Sequence, residues 1–326
     1  MTRMEVNSKK KKVKKVVTTV VIALLIFIAL GSAIGSFIVG KMVRDGVLYQ
    51  NKDKDTKDNS FKQMEIWGYD YSKFLKEHKG TDFNVRGKDG VNIHGTYYMA
   101  HEANDRYAII AHGAGGERNS VLPIVEIFLS NNINAVTYDQ RGSGDSEDPC
   151  VTFGIKEKSD VECLVDYVKK ELYAKEVYVL GQSMGGATVA LYAATEHAKE
   201  NVDAIILDSP VPGMELTLKY MFIENYEMDE ISAEYFIGCG SLYSKIFDKM
   251  SFKEGDTIEK MKDNNCKTLV ILSEQDEVCL PSDVEYLYYN IASDEKELVR
   301  FDIPHIEGSI SHAEEYESAI MNFINK

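Results

Sequence analysis

The sequence lacks the cysteine spacing of a metal site or a disulfide framework, and it has no internal repeat. Its five cysteines are scattered and are expected to be free thiols that pack as small apolar side chains. A basic surplus is also missing, because the formal net charge is -15. Such an acidic chain is unsuited to nucleic-acid phosphates, so we expect no nucleic-acid partner. We also predict no disulfide and no metal.

Charge is absent from residues 16–40, a run of 25 residues that is long enough for a helix to cross the ~30 Å hydrocarbon layer. Residues 1–15 form a basic tail with seven lysines and arginines against one glutamate. By the positive-inside rule this tail is cytoplasmic. We therefore predict an uncleaved, single-pass signal anchor in the cell membrane, with the following domain on the extracytoplasmic side. Small residues at Gly31, Ser32 and Ala33 leave a cleaved signal peptide as the alternative.

The rest of the chain divides by its pattern. Residues 41–62 are polar and mixed in charge, which predicts an exposed linker. In residues 63–326 short β-branched or aromatic runs alternate with helical patterns, the signature of a mostly parallel sheet flanked by helices. Eight strands are expected, the first two as a hairpin turned at residues 87–90. Residues 209–266 lack a clear strand and predict a helical lid inserted over the sheet.

The sequence Gly181-Gln182-Ser183-Met184-Gly185 stands where a hydrophobic strand meets a helix. This is the setting of a nucleophile elbow, in which a sharp turn exposes a serine at the edge of the sheet. The glycines on either side leave room for the strand and the helix to approach each other. Ser183 is therefore the predicted nucleophile.

A serine needs a base to remove its proton, and the base needs an acid to orient it. Asp276 follows a predicted strand that ends near Ser273 and is the predicted acid; Asp208, which ends the preceding strand, is the alternative. Two histidines lie after the last strand, within reach of the elbow. We predict His312, at the start of the final helix, as the base and keep His305 as the alternative.

An oxyanion hole should complete the site, because charge develops on the substrate oxygen during attack. The N–H of Met184 follows the nucleophile directly and supplies one donor. The second is expected from the glycine-rich loop after the third strand, and we predict the N–H of Ala114. His112, which begins that loop, is expected to hydrogen-bond the loop rather than to act as a base.

Five segments in this order, AHGAGG, DQRGSGDS, GQSMGG, SEQDEV and SHAEEY, together resemble the α/β-hydrolase superfamily. The closest resemblance is to bacterial membrane-anchored serine hydrolases of the serine aminopeptidase-like and esterase or lipase group, and it covers roughly residues 64–326. It implies the α/β-hydrolase fold and no metal or organic cofactor. It also implies that the turn containing Asp139 and Arg141 braces the sheet edge and has a structural role.

These features predict a serine hydrolase that cleaves a carboxylic ester of a small-molecule or acyl substrate through an acyl-enzyme. A peptidase or amidase with the same triad and a non-catalytic surface binding protein are the alternatives, and fold similarity does not choose among them. The oligomeric state is left open. Apolar residues of the lid are the candidates for an acyl pocket: Met214, Leu218, Met221, Phe222, Tyr235 and Phe236.

Overall fold

Eight strands form one sheet in the order β1-β2-β4-β3-β5-β6-β7-β8 in the computed structural model, which describes residues 3–326 and the side chains of residues 11, 12 and 14–326. The first two residues of the predicted basic tail therefore lie outside the described residues, as do most of its side chains. The strands are β1 Thr81–Arg86, β2 Asn92–Tyr98, β3 Arg106–Ala111, β4 Asn134–Tyr138, β5 Glu176–Gln182, β6 Ala204–Asp208, β7 Thr268–Ser273 and β8 Lys296–Phe301.

The helices occupy the positions that the alternating pattern predicts, with several additions near the amino terminus. They are α1 Arg3–Leu48, α2 Thr56–Ile66, α3 Tyr71–Glu77, α4 Leu122–Ser130, α5 Glu157–Glu171, α6 Met184–Ala193, α7 Glu196–Asn201, α8 Met214–Tyr226, α9 Glu230–Phe247, α10 Thr257–Lys260, α11 Pro281–Asn290, α12 Gly308–Ser311 and α13 Ala313–Ile324. Short 3-10 turns at Arg118–Val121, Phe252–Gly255 and Met261–Asp263 complete the order.

Only the pairs of β1 with β2 and of β2 with β4 are antiparallel within the described sheet, and the remaining neighbours are parallel. Both faces of the central strands are buried. In β3, Ile109 packs in one hydrophobic core and Ile110 in another on the opposite face, which explains the nearly continuous apolar runs of these strands. The mostly parallel, eight-stranded sheet predicted from the sequence is confirmed.

Helices α8 to α10 stand between β6 and β7, where the sequence predicts an inserted lid. Helix α9 begins with Asp229, whose side chain accepts a hydrogen bond from the backbone N–H of Ser232 at 3.0 Å. Its partners are α8 and the carboxyl-terminal part of α1. There Val43 and Leu48 of α1 are buried, and a Cβ on Gly240 of α9 would lie 2.5 Å from Val43.

The exposed polar linker predicted for residues 41–62 is wrong. Helix α1 continues without a break to Leu48, and α2 begins at Thr56. Thr56, Ser60 and Met64 are buried on one face of α2 because they recur every four residues. A helix that is polar in composition can therefore still pack on the domain, because one buried face is enough to hold it there.

Within α1, residues 14–35 are exposed, and Lys14–Leu48 is long and apolar enough to serve as a membrane anchor or as part of a signal sequence. The described helix extends beyond the predicted span of residues 16–40 at both ends.

Candidate active site

Ser183 lies at the junction of β5 and α6 in a strained backbone conformation, with φ 56° and ψ −116°. The turn is held by the N–H of Ser183, which donates to the carbonyl of Asp208 at 2.9 Å. Two glycines are required by close contacts: a Cβ on Gly181 would clash with the backbone of Gly185, and a Cβ on Gly185 would clash with the backbone of Ala111. The local geometry is that of the predicted nucleophile elbow.

The imidazole beside Ser183 belongs to His305. Its Nε2 lies 2.8 Å from Ser183 Oγ, and its Nδ1 lies 2.6 Å from Asp276 Oδ2. Asp276 is buried, and its other oxygen accepts hydrogen bonds from the N–H groups of Val278 and Cys279, both at 2.8 Å. One carboxylate oxygen is thereby fixed by the backbone, while the other faces the imidazole. The structure thus joins Ser183, His305 and Asp276 in one hydrogen-bonded chain.

The prediction of His312 as the base is wrong. The Nδ1 of His312 lies 3.2 Å from the hydroxyl of Ser311, and its ring packs 6.1 Å from that of Phe301. The reason is the path of the chain after β8. Residues 302–307 cross the carboxyl edge of the sheet at once, and the single turn of α12 then intervenes before residue 312. His305 stands four residues after its strand, much as Asp276 stands three residues after β7.

Asp208, the alternative acid, is fully buried behind the elbow and does not touch the imidazole. Its Oδ2 accepts hydrogen bonds from Gln182 Nε2 and from Tyr316 Oη, both at 2.9 Å. Burial raises the pKa of Asp208 to about 6. Sequence reasoning missed Gln182 and Tyr316 as partners. The side chain of Asp208 thus ties the elbow to the last helix, α13.

The loop after β3 passes beside the nucleophile. A Cβ on Gly113 would lie 3.4 Å from Ser183 Cβ, so glycine permits this close approach. Within residues 3–326, neither the N–H of Ala114 nor that of Met184 donates to a protein acceptor. The oxyanion hole formed by these two N–H groups stays a prediction.

His112 is buried at the base of this loop, as expected for a structural histidine. Its Nδ1 lies 2.7 Å from the carbonyl of Gly113, and its Nε2 accepts from the N–H of Gln140 at 3.0 Å. Burial lowers the pKa of His112 and favours the neutral imidazole. The neutral tautomer with a proton on Nδ1 satisfies both hydrogen bonds, so His112 shapes the loop.

Comparisons with known proteins agree with this fold. A family model described as serine aminopeptidase, S33, matches residues 102–228. An esterase of Pyrococcus furiosus superposes with a TM-score of 0.63 at 20% identity, over 77% of this chain and 93% of that one. An enol-lactonase of Burkholderia xenovorans gives a TM-score of 0.55 at 19% identity, over 75% of this chain and all of that one. The chain has the α/β-hydrolase fold.

Curated relatives align with smaller parts of this chain than these structures do. The chain is 26% identical to an uncharacterized protein of Bacillus subtilis, YqkD, over 205 residues. This alignment covers 62% of this chain and 66% of YqkD. Over 133 residues the chain is 29% identical to a proline iminopeptidase of Saccharolobus solfataricus, covering 40% of this chain and 42% of that one. The matched regions thus span less than two thirds of these relatives.

A cavity of about 480 Å³ opens beside His305. Its walls come from the loop after β3, from the loop after β8 and from α2, the helix that the sequence predicted as linker. The lining residues include Asn59, Ser60, Gln63, Trp67, Gly113, Ala114, Gly115, Gly116, Ser120, Gln182, Pro304, His305, Ile306 and Glu307. Apart from Trp67 and Ile306, the side chains of this wall are small or polar.

None of the six residues predicted for an acyl pocket in the lid lines this cavity, so the cavity does not support that prediction. Three of them, Met214, Leu218 and Phe222, are buried within the insertion, and Phe236 packs against Phe222. The hydroxyl of Tyr235 lies 2.8 Å from that of Ser36 in α1. Met221 is half-exposed and also lies outside the lining of this cavity. The apolar residues of α8 join the hydrophobic core, and those of α9 pack on α8 and on α1.

Asp276, Cys279 and His305 bring one possible metal-ligand atom each within 4.8 Å of one another. The Nδ1 of His305 and both oxygens of Asp276 already share hydrogen bonds with protein groups. Burial also raises the pKa of Cys279 well above its usual value, which disfavours the thiolate that a metal would need. His305 and Asp276 therefore fit an imidazole–carboxylate pair better than a metal site with Cys279.

Away from Ser183 and His305, a buried ion pair braces the edge of the sheet. Arg141 is fully buried and donates to both oxygens of Asp160, at 2.6 and 2.7 Å, and to Asp89 at 2.5 and 3.0 Å. The side chain contacts only acids in this described network and lies outside the cavity lining. This placement agrees with the structural role expected for the turn that contains Arg141.

Proposed function

We propose that the protein is a serine hydrolase that cleaves a carboxylic ester through an acyl-enzyme formed on Ser183. The observation that carries the proposal is the hydrogen-bonded chain from Ser183 Oγ through His305 to Asp276. His305 removes the proton as the serine oxygen attacks the ester carbonyl, and Asp276 holds the imidazole in the tautomer that accepts at Nε2. The negative charge on the substrate oxygen is stabilised by the N–H groups of Ala114 and Met184.

The second half of the reaction uses the same groups. His305 returns its proton to the alcohol oxygen as the bond to the acyl carbon breaks, which leaves the acyl group on Ser183. It then takes a proton from water, whose oxygen attacks the acyl carbon, and finally protonates Ser183 as the acid leaves. No cofactor is required by these steps. The cavity beside His305 has the volume of an ordinary small-molecule site.

An aminopeptidase that uses the same triad is the second candidate. Glu307 supplies a carboxylate to the cavity wall near His305, where it could bind a substrate ammonium group. The match to the aminopeptidase family model and the iminopeptidase relative also support this candidate. The esterase and the lactonase among the similar structures support ester cleavage.

The experiment begins with a fluorophosphonate probe on the purified full chain in detergent. Labelling should occur in the wild type and be lost in Ser183→Ala, and equal labelling of the two proteins would refute the proposal. Short and long p-nitrophenyl esters are then compared with aminoacyl p-nitroanilides. If the aminopeptidase is correct, the anilides are cleaved faster, and Glu307→Gln lowers anilide turnover while ester turnover is kept.

We also propose that α1 is an uncleaved anchor that places the catalytic domain outside the cytoplasmic membrane. The exposed apolar stretch of residues 16–35 and the basic residues before it support this topology. The carboxyl-terminal end of α1 is part of the domain core, since Val43, Val47 and Leu48 are buried. Alkaline phosphatase fused after Lys326 should be active in a bacterial host and remain with the membrane fraction. An inactive fusion would refute the extracytoplasmic orientation, and activity in the soluble fraction would refute the uncleaved anchor.

A further inference from the structure

Helix α9 of the lid runs beside the outer end of the candidate membrane span. The Ser36 hydroxyl lies 2.8 Å from that of Tyr235, and the ring of Phe37 packs 5.0 Å from that of Tyr243. A Cβ on Gly40 would clash with the backbone of Cys239. The step from Ser36 to Gly40 on α1 thus matches the step from Tyr235 to Cys239 on α9, so the two helices run side by side in the same direction.

This contact fixes the depth of α9 relative to a bilayer. A hydrocarbon layer of ~30 Å takes about 20 helical residues, so a span that starts after Lys15 ends close to Ser36. Tyr235 lies at the same level because it is hydrogen-bonded to Ser36. Ile231 precedes Tyr235 by one turn of α9 and therefore points back toward the membrane. It is the most exposed large apolar side chain of the lid, at 80%.

We propose that the turn between α8 and α9 rests in the headgroup layer of the bilayer that α1 crosses, with Ile231 and Tyr235 against the lipid. The inference rests on α1 being the membrane anchor proposed above. Tyrosine is favoured at this depth, because its ring is apolar and its hydroxyl is polar. The occupant of this surface is thus the lipid of the chain's own membrane.

The charges of this part of the lid are compatible with a headgroup position. Glu230 and Glu234 both pair with Lys219 of α8, so they are directed toward the neighbouring helix. Asp229 caps α9 through the N–H of Ser232. Glu227 and Asp229 would be costly in hydrocarbon, which places the turn among the headgroups and leaves Ile231 as the side chain that reaches deeper.

The consequence is a short, rigid connection between membrane and enzyme. No free segment separates the span from the domain, because α1 is continuous into the core at Leu48. With α1 and the tip of α9 both at the membrane, the domain has two points of contact and a fixed orientation. The partner of this lid surface is a lipid surface rather than a soluble protein.

Tryptophan fluorescence can test the predicted depth on the full chain in proteoliposomes. Trp67 is the only tryptophan of the sequence, so W67F gives a background into which single tryptophans are placed. Three variants are compared: I26W inside the span, I231W at the tip of α9, and L242W. Leu242 is 60% exposed on the same face of α9 as Ile231, about 16 Å further along the helix, and is the matched control.

Phosphatidylcholine brominated in the upper acyl chain is the quencher. We expect loss of fluorescence in I26W and I231W, and little loss in L242W. Quenching of I26W without quenching of I231W would overturn this inference and leave the anchor standing. A lack of quenching in I26W would overturn the anchor and this inference together. Equal quenching of I231W and L242W would refute the predicted orientation of α9. If I231W were shielded from water but not quenched by the brominated lipid, the inference would also fail, and this surface would contact a second copy of the chain instead.

Discussion

The carboxyl edge of the sheet and the junction of α1 with α9 both join residues that are far apart in the chain. Ser183 meets His305 across 122 positions, and Ser36 meets Tyr235 across 199. At the sheet edge, strand order places the loops, so each reacting group needs only to follow its strand closely. At the helix junction no such frame exists, and the contact depends on two surfaces that fit. Topology therefore dictates the first contact, while side-chain packing dictates the second.

The largest expected effect tests which histidine acts as the base for Ser183. In His305→Gln, Ser183 loses its base, so kcat/KM toward the preferred ester should fall by roughly 10⁴-fold or more. His312→Gln is the matched control, because His312 contacts Ser311 and Phe301 instead, and its activity should stay within about twofold of the wild type. A large loss in His312→Gln with normal His305→Gln would reverse the assignment.

This histidine also marks the limit of what the sequence predicts at the site. Ser183 and Asp276 follow β5 and β7 at short distances, and each could be placed once those strands were recognised. The loop after β8 holds two histidines, and its path decides between them. That path depends on α12 and on the packing of Tyr316, which is buried and bonded to Asp208. Such contacts are not visible in local sequence.

The lid and the linker show the same limit at a larger scale. The spacing of the apolar residues in α8 and α9 predicts helices. The same spacing does not indicate whether these residues face a substrate, a core or another helix. Residues 56–62 of α2 fall in the predicted linker because their composition is polar, although three small or apolar side chains on one face suffice to pack this helix on the domain. The wall of the cavity formed by α2 was missed for this reason.

The next effect concerns the ion pair that braces the sheet edge. Arg141→Met leaves Asp160 buried without its partner, and burial already raises the pKa of Asp160 to about 6 with Arg141 present. Loss of a buried partner costs roughly 3–5 kcal/mol, so thermal unfolding in non-ionic detergent should shift to clearly lower temperature. Arg300→Met is the control, since Arg300 is a surface residue that pairs with Glu285. Equal melting of both variants would mean that the brace is dispensable.

A pH dependence is expected from Asp208, the second buried carboxyl at this edge. Its pKa is raised from 3.8 in the unfolded chain to about 6 by burial, so the folded state binds the proton more tightly. The stability due to this proton is complete below pH 4 and is lost as the pH rises through 6, by up to roughly 3 kcal/mol. Asp208→Asn keeps an oxygen for Gln182 and Tyr316 but has no such proton.

The two proteins should therefore melt alike near pH 4 and diverge above pH 6, where Asp208→Asn becomes the more stable one. Asp276 and His305 are the nearby ionisable groups that act on the Asp208 carboxyl, and both are present in each protein. Melting curves that remain parallel from pH 4 to 8 would show that Asp208 does not carry this dependence.

The smallest effect is the most direct probe of the helix junction, because α9 contains a matched pair of glycines. A Cβ at Gly240 would lie 2.5 Å from Val43 of α1 and 3.0 Å from Phe252, whereas a Cβ at Gly238 meets nothing within 4 Å. Gly238→Ala should raise the free energy of unfolding by about 0.5–1 kcal/mol through helix propensity. Gly240→Ala gains the same propensity but forces α1 away from α9, for a net loss of about 1–3 kcal/mol. If both variants were stabilised equally in thermal melts, α1 would not be packed on α9, and the two regions would no longer differ in how they are held.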